Sequence, residues 1–174
     1  FGLRLNKGRF QDNNNSGYLL KPDYLRLKKV TSSDSITPLA VTIDVISGFA
    51  LPKPDLATGG EVVDPYVKIF LEGPGVDRKD AHKTAVIEDN GFHPVWRLQK
   101  GAKRRFVVPI PEMTTLVVQV YDSDVDADDF LAECFAPVHL MRSGVRNFPL
   151  QSVRSVDLVG SFVMAKIEVT ELTA

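Results

Sequence analysis

Cysteine is nearly absent: Cys134 is the only one in 174 residues. A single thiol excludes an intramolecular disulfide and any cysteine-rich zinc site, and it fits an intracellular protein. Long apolar runs are missing too. No segment approaches the roughly 20 residues needed to cross a bilayer as a helix, and the opening FGLRLNKGRFQDNNNSG has no secretory apolar core. Charge of one sign is not in excess, since 21 Lys and Arg stand against 22 Asp and Glu for a net charge of −1. The whole chain therefore gives no case for nucleic acid or an acidic partner, and any electrostatic function must come from local segregation. Sustained 3.6-residue periodicity, βαβ alternation and internal repeats are absent as well. The first residue is Phe1 rather than Met, which reads as a piece of a longer protein.

What is present suits one globular domain. Hydrophobic residues make up 44% and charged residues 25%, ordinary values for a folded chain of this length. Residues 1–38 differ in texture from the rest. Asp12–Gly17 is a run of turn-forming residues, Tyr24, Leu25 and Leu27 suit a short turn against a neighbour, and Thr31–Ser35 is polar enough to be a linker. The boundary is placed near Pro38, with residues 39–174 as the main domain.

From Leu39 the pattern has a period of two. Leu39, Val41, Ile43 and Val45 alternate with Ala40, Thr42 and Asp44, as in a half-buried strand. Further strands are expected at Val63–Leu71, Thr84–Ile87, Val95–Leu98 with a continuation through Phe106–Val108, Thr115–Tyr121, Phe130–Phe135, Phe148–Leu150 and Phe162–Val169. Only Val138–Met141 suggests a helical turn. Trp96, Phe106, Phe130, Phe135, Phe148 and Phe162 are the expected aromatic core. Eight short strands separated by turn signals predict an all-β antiparallel sandwich.

Acidic residues are concentrated after the fifth expected strand: Asp122, Asp124, Asp126, Asp128 and Asp129, with Glu133 beyond. Such a group repels itself unless the carboxylates fan into water or share a cation. Ca2+ suits the second option, because it takes six to eight hard oxygen ligands in adaptable geometry. The spacing also fits positions 1, 3, 5, 7 and 12 of an EF-hand loop. However, Ala127 occupies the position that needs glycine, and the preceding residues alternate like a strand, so the EF-hand is rejected. A solvated turn is the alternative reading of the loop alone, and the lesser one. Asp55 and Asp64 flank a second loop, and Asp89 and Asn90 form a third, so three loops can converge at one end of a sandwich.

The ordered set Leu51-Pro52-Lys53, Val62-Val63-Asp64-Pro65-Tyr66-Val67, Thr84 through Trp96, Tyr121-Asp122-Ser123-Asp124 and Asp129-Phe130-Leu131 resembles the C2 domain of phosphoinositide-specific phospholipase C, delta-like in its motifs. Leu5–Asn13 and Gly17–Pro22 resemble the tail of the catalytic barrel in the same enzymes. The resemblance implies an eight-stranded C2 sandwich of the phospholipase C-type topology, with residues 1–38 as barrel tail and linker. It implies calcium ligands at Asp55, Asp64, Asp89, Asp122, Asp124 and Asp129, with the carbonyl of Val62. Where the family commonly has asparagine, this chain has Asp89. The first loop reads a residue longer than usual and the third shorter.

The family cleaves a phosphoinositide headgroup from diacylglycerol with two barrel histidines, and His82, His93 and His139 do not fall in matching motifs. No catalysis is expected of this chain. Basic runs offer a second membrane contact, with Lys83, Lys100, Lys103, Arg104 and Arg105 as candidates for anionic lipid. The first loop, Ala50-Leu51-Pro52 through Leu56-Ala57, suits a modest apolar tip. The expected function is Ca2+-dependent docking of a cytoplasmic parent phospholipase C on anionic membrane. The alternative is a calcium-independent structural module that orients the barrel through intramolecular contacts.

Overall fold

The computed structural model describes residues 2–26, 36–54, 62–76, 80–152 and 154–172. Eight strands follow two short helices, α1 (Gly2–Phe10) and α2 (Asp23–Arg26): β1 (Leu39–Phe49), β2 (Pro65–Glu72), β3 (His82–Lys83), β4 (Lys103–Val108), β5 (Thr115–Asp122), β6 (Asp129–Pro137), β7 (Gly144–Gln151) and β8 (Asp157–Glu171). Every strand pair is antiparallel, and the hydrogen-bonded order is β3-β2-β5-β6-β7-β8-β1-β4. Between β6 and β7 only Glu133 and Gln151 pair, so the order divides into two four-stranded layers joined at that point.

Alternation fills the space between the layers. Val41, Ile43 and Val45 from β1 meet Val67, Ile69 and Leu71 from β2, Leu116, Val118 and Val120 from β5, and Val163, Ala165 and Ile167 from β8. Trp96 is fully buried among them and donates its indole N–H to the Ala85 carbonyl at 3.0 Å. This satisfies its one polar atom, so its large apolar surface stabilises the core without an unpaired donor.

The strand expectations hold for β1, β2 and β5–β8, and Val138–Leu140 forms the expected single turn as a 3-10 helix. Two strands shift. The third is His82–Lys83 rather than Thr84–Ile87, although Thr84 and Ile87 still donate to Val67 and Pro65 carbonyls of β2 at 2.9 and 3.1 Å. The fourth is Lys103–Val108, and Val95 contributes only an isolated bridge to Ser47. The aromatic core is smaller than expected. Trp96, Phe106 and Phe148 belong to it, but Phe135 lies in a second cluster with Phe70 and Val117 on the other face of the β2-β5-β6 layer. Phe130 packs edge-on against Tyr121, and Phe162 stacks on Phe49 outside the core.

Helix α1 is absent from the sequence expectations. It lies on that second cluster, with Arg4 and Lys7 over the rings of Phe70 and Phe135 at 5.7 and 5.2 Å. Glu133 on β6 is buried, accepts from Gln119 at 3.1 Å, and pairs with Lys7 at 3.5 Å and Arg4 at 3.8 Å. Gly8 is needed here: a Cβ at that position would come within 2.2 Å of the Thr115 side chain.

Candidate functional site

The antiparallel order places the β1–β2, β5–β6 and β7–β8 connections at one end of the sandwich. The segment after β3, including Asp89, reaches the same end, because Asn90 donates to the Val63 carbonyl at 3.2 Å and Leu51 donates to the Gly91 carbonyl at 2.9 Å. On β5 the inward row Leu116, Val118, Val120 continues to Asp122, so strand periodicity itself delivers a carboxylate to the mouth of the core.

Asp64 ties the three loops together. Its backbone N–H donates to Asp122 Oδ1 at 2.6 Å, its own Oδ1 accepts from the Asp89 N–H at 2.6 Å, and its carbonyl accepts from Ser123 N–H at 3.1 Å. Asp89 adopts a left-handed backbone, φ 52°, which turns its amide towards Asp64. Asn90 braces the same turn from outside by exchanging two side-chain hydrogen bonds with the His93 backbone, at 2.9 and 3.1 Å.

Asp122 is buried, and burial pushes its carboxyl above the ordinary carboxylate value. The Asp64 N–H opposes that shift, while the charges of Asp124, Asp64 and Asp129 reinforce it. Asp124 and Asp129 are exposed neighbours of this pair. Asp128, outside the ligand set that the resemblance implies, points elsewhere. It accepts from the Tyr66 hydroxyl at 2.7 Å and pairs with Lys83 at 3.6 Å. The Tyr66 hydrogen bond, helped by Lys83, holds the Asp128 carboxyl below the ordinary value. Asp126 is exposed in the same loop.

Val62 is half exposed, and Asp55 lies outside the described residues with the rest of 55–61. Leu51 is buried and is no lipid-facing tip, while Leu56 and Ala57 fall outside the described residues. Among the described residues, no group of three His, Cys, Asp or Glu side chains is gathered tightly enough to hold a metal ion. The donor chemistry nevertheless fits a hard cation, since Asp122, Asp124 and Asp129 bring carboxylates to this end, and the charges of Asp124, Asp64 and Asp129 act on the buried one.

The basic candidates divide by face. Lys103 and Arg105 project outwards from β4, and Lys103 reaches Glu168 at 3.9 Å. Arg104 is turned the other way and pairs with Asp80. Lys83 sits 3.4 Å above the Tyr66 ring, next to Asp128, and Lys100 is exposed in the turn before β4. His82 contacts the Gly101 carbonyl at 2.8 Å, and the His93 ring lies beside Phe49. Among the described residues, no helix is long and apolar enough to cross a membrane.

Residues 39–150 match the family model described as C2 domain. The chain is 34% identical over 172 residues to 1-phosphatidylinositol 4,5-bisphosphate phosphodiesterase delta-4 of Homo sapiens, covering 94% of this chain and 22% of that protein. It is 29% identical over 176 residues to inactive phospholipase C-like protein 2 of Mus musculus, covering 97% and 15%. The crystal structure of L. pealei PLC21 superposes with a TM-score of 0.78 at 24% identity, covering 99% of this chain and 22% of that one. The chain thus spans 15–22% of the length of these relatives. Its eight-stranded antiparallel sandwich matches the phospholipase C-type C2 topology, and the chain belongs to the C2 domain family as a relative of the delta-type phospholipase C domains.

Proposed function

We propose that this C2 domain is a Ca2+-dependent phospholipid-docking module of a phosphoinositide-specific phospholipase C, acting at the cytoplasmic face of membranes. The observation that carries the reading is the Asp64 linkage, which holds Asp122 and Asp89 together at one end beside Asp124 and Asp129. A merely solvated turn would relax by fanning these carboxylates apart. Here two amide hydrogen bonds fix the Asp122 and Asp64 carboxylates at this end, where the charges of Asp124, Asp64 and Asp129 act against ionisation of Asp122. Asp64, Asp89, Asp122, Asp124 and Asp129 would hold the ion, with the Val62 carbonyl and Asp55 completing the oxygen set. When bound, Ca2+ supplies positive charge and open coordination positions for lipid phosphate oxygens. Lys100, Lys103 and Arg105 add attraction to anionic headgroups, each worth about 1 kcal/mol near the surface. Lys83 and Arg104 join them after leaving Asp128 and Asp80. Sedimentation with phosphatidylserine-containing vesicles should rise sharply with free Ca2+. Equal sedimentation in Ca2+ and in chelator would sink the calcium switch.

A second reading has its own observation. Helix α1, in the segment that resembles the barrel tail, is fixed to the sandwich by Glu133, Lys7 and Arg4. That contact suits a module that orients a catalytic barrel of the same parent chain irrespective of calcium. Phosphoinositide hydrolysis would then belong to the parent's barrel. Titration calorimetry decides between the two readings, because the structural module needs no Ca2+ heat.

A further inference from the structure

The outer face of the β4-β1-β8-β7 layer is graded along its strands. At the end that carries the carboxylates, three rings form a row across neighbouring strands. Phe49 on β1 lies 5.0 Å from Phe92 and 5.5 Å from Phe162 on β8, and the His93 ring sits 6.3 Å from Phe49. Phe92 runs beside β1 because Ala50 and Gly48 donate to the Phe92 and Pro94 carbonyls. The row is open to solvent: Phe92 is 69% and Phe49 36% exposed. Val95, 45% exposed, follows directly below. Further along the same face the character changes to charged, with a basic excess: Asp44 stands between Lys103 and Lys166 in register, and Arg97, Lys103, Arg105 and Lys166 outnumber Asp44 and Glu168. Lys166 lies four residues beyond Phe162, roughly 13 Å along the strand. The charge of Arg97 acts on Lys166, and Lys166 and Lys103 share Glu168 at 2.8 and 3.9 Å.

We propose that this face is a second membrane contact, in which Phe92 and Phe49 enter the headgroup boundary of an anionic bilayer while Arg97, Lys103, Arg105 and Lys166 meet its phosphates. The proposal rests on the membrane reading above and adds an orientation: the sandwich leans onto this layer instead of standing on its loops alone. Three observations favour a lipid surface as occupant. The ring row is continuous with the carboxylate end. With the strands inclined to the bilayer plane, the roughly 13 Å between rings and cations projects onto an apolar depth of about 5–10 Å with anionic groups above. Finally, α1 lies on the outer face of the opposite layer and not on this row. Phe92, largely wet in the free chain, and the exposed part of Phe49 gain by entering the interface, and the basic side chains gain from the anionic leaflet.

The test uses the 174-residue chain with vesicles of phosphatidylcholine and phosphatidylserine, in Ca2+ and in chelator. Phe92→Ala should lower vesicle partitioning about tenfold while leaving Ca2+ affinity and the thermal melt unchanged. Phe92→Trp should retain partitioning, and its emission should shift to the blue and be quenched by lipids brominated near the headgroup. Trp96 is fully buried and provides a constant background. Vesicle binding that persists with Phe92→Ala unaffected and Phe92→Trp unquenched overturns this contact but leaves the loop reading intact. Absence of vesicle binding by the parent chain in both conditions overturns the membrane reading and this contact with it. A self-association that Phe92→Ala abolishes would assign the row to a second copy and overturn the lipid assignment.

Discussion

Asp122 is held in a place that disfavours its charge. Burial raises its pKa and the neighbouring carboxylates add to the effect, while one amide from Asp64 opposes it. A carboxyl whose folded pKa exceeds its unfolded value leaves the folded state binding more protons, so metal-free stability falls as pH rises through the interval between the two values. Converting Asp122 and Asp124 together to Asn keeps an acceptor for the Asp64 N–H and removes two charges. The double variant should lose at least tenfold in Ca2+ affinity by calorimetry, remain folded, and in chelator melt slightly higher at neutral pH than the parent chain. Unchanged affinity in a folded variant would return the loop to a solvated turn. Strand alternation carries Asp122 to the loop end, whereas Asp124 lies beyond the last strand residue, in the loop. Asp128 was not legible, since its role depends on Tyr66 and Lys83 arriving from β2 and β3. Tyr66→Phe removes its donor, so NMR titration should find the Asp128 pKa higher than in the parent chain, with Ca2+ affinity unaltered.

Among the elements, strands with one face against the core announced themselves, because alternation at β1 and β8 is a direct record of burial, whereas β5 is buried on both faces. The third and fourth strands slipped for a physical reason. Thr84–Ile87 is apolar enough to read as a strand and does run beside β2, but ladder pairing is confined to His82 and Lys83, which pair with Ile69 and Lys68. Around Trp96 the apolar signal comes from one anchored indole rather than from a ladder. Helix α1 was hidden because its own sequence argues against it: Gly8 sits in its interior and no acidic residue stands in its first turn. Tertiary contacts with Glu133, Phe70 and Phe135 hold it. Gly8→Ala is therefore an informative change. Helix propensity alone would favour it by about 1 kcal/mol. Against that, its Cβ would approach Thr115 to 2.2 Å, and relieving such overpacking costs about 1–3 kcal/mol. The net expectation is destabilised docking, seen as faster amide exchange across residues 2–10 with the β-sandwich amides unchanged. Slower exchange there would mean that Thr115 yields easily.

For the whole molecule, the division between the two ends of the sandwich governs what a ligand can do to stability. At the loop end, Asp64, Asp89 and Asp122 are linked through backbone amides, so a cation they share is bonded to three loops at once. In the unfolded chain those residues lie far apart, and the affinity for an ion is negligible beside that of the folded state. Binding to the folded state alone stabilises by about 2.7 kcal/mol when ligand stands at 100 times its dissociation constant. For a domain of this size each kcal/mol moves the melting temperature by about 2–4 °C. Saturating Ca2+ should therefore raise the melting temperature by roughly 5–11 °C over chelator, and Mg2+, which demands tighter octahedral geometry, should do much less. The Asp122 and Asp124 double variant should lose most of the rise. A melting temperature indifferent to Ca2+ in the parent chain would remove the ion from the loop end, leaving α1 and its contacts with β6 as the basis for a purely structural role.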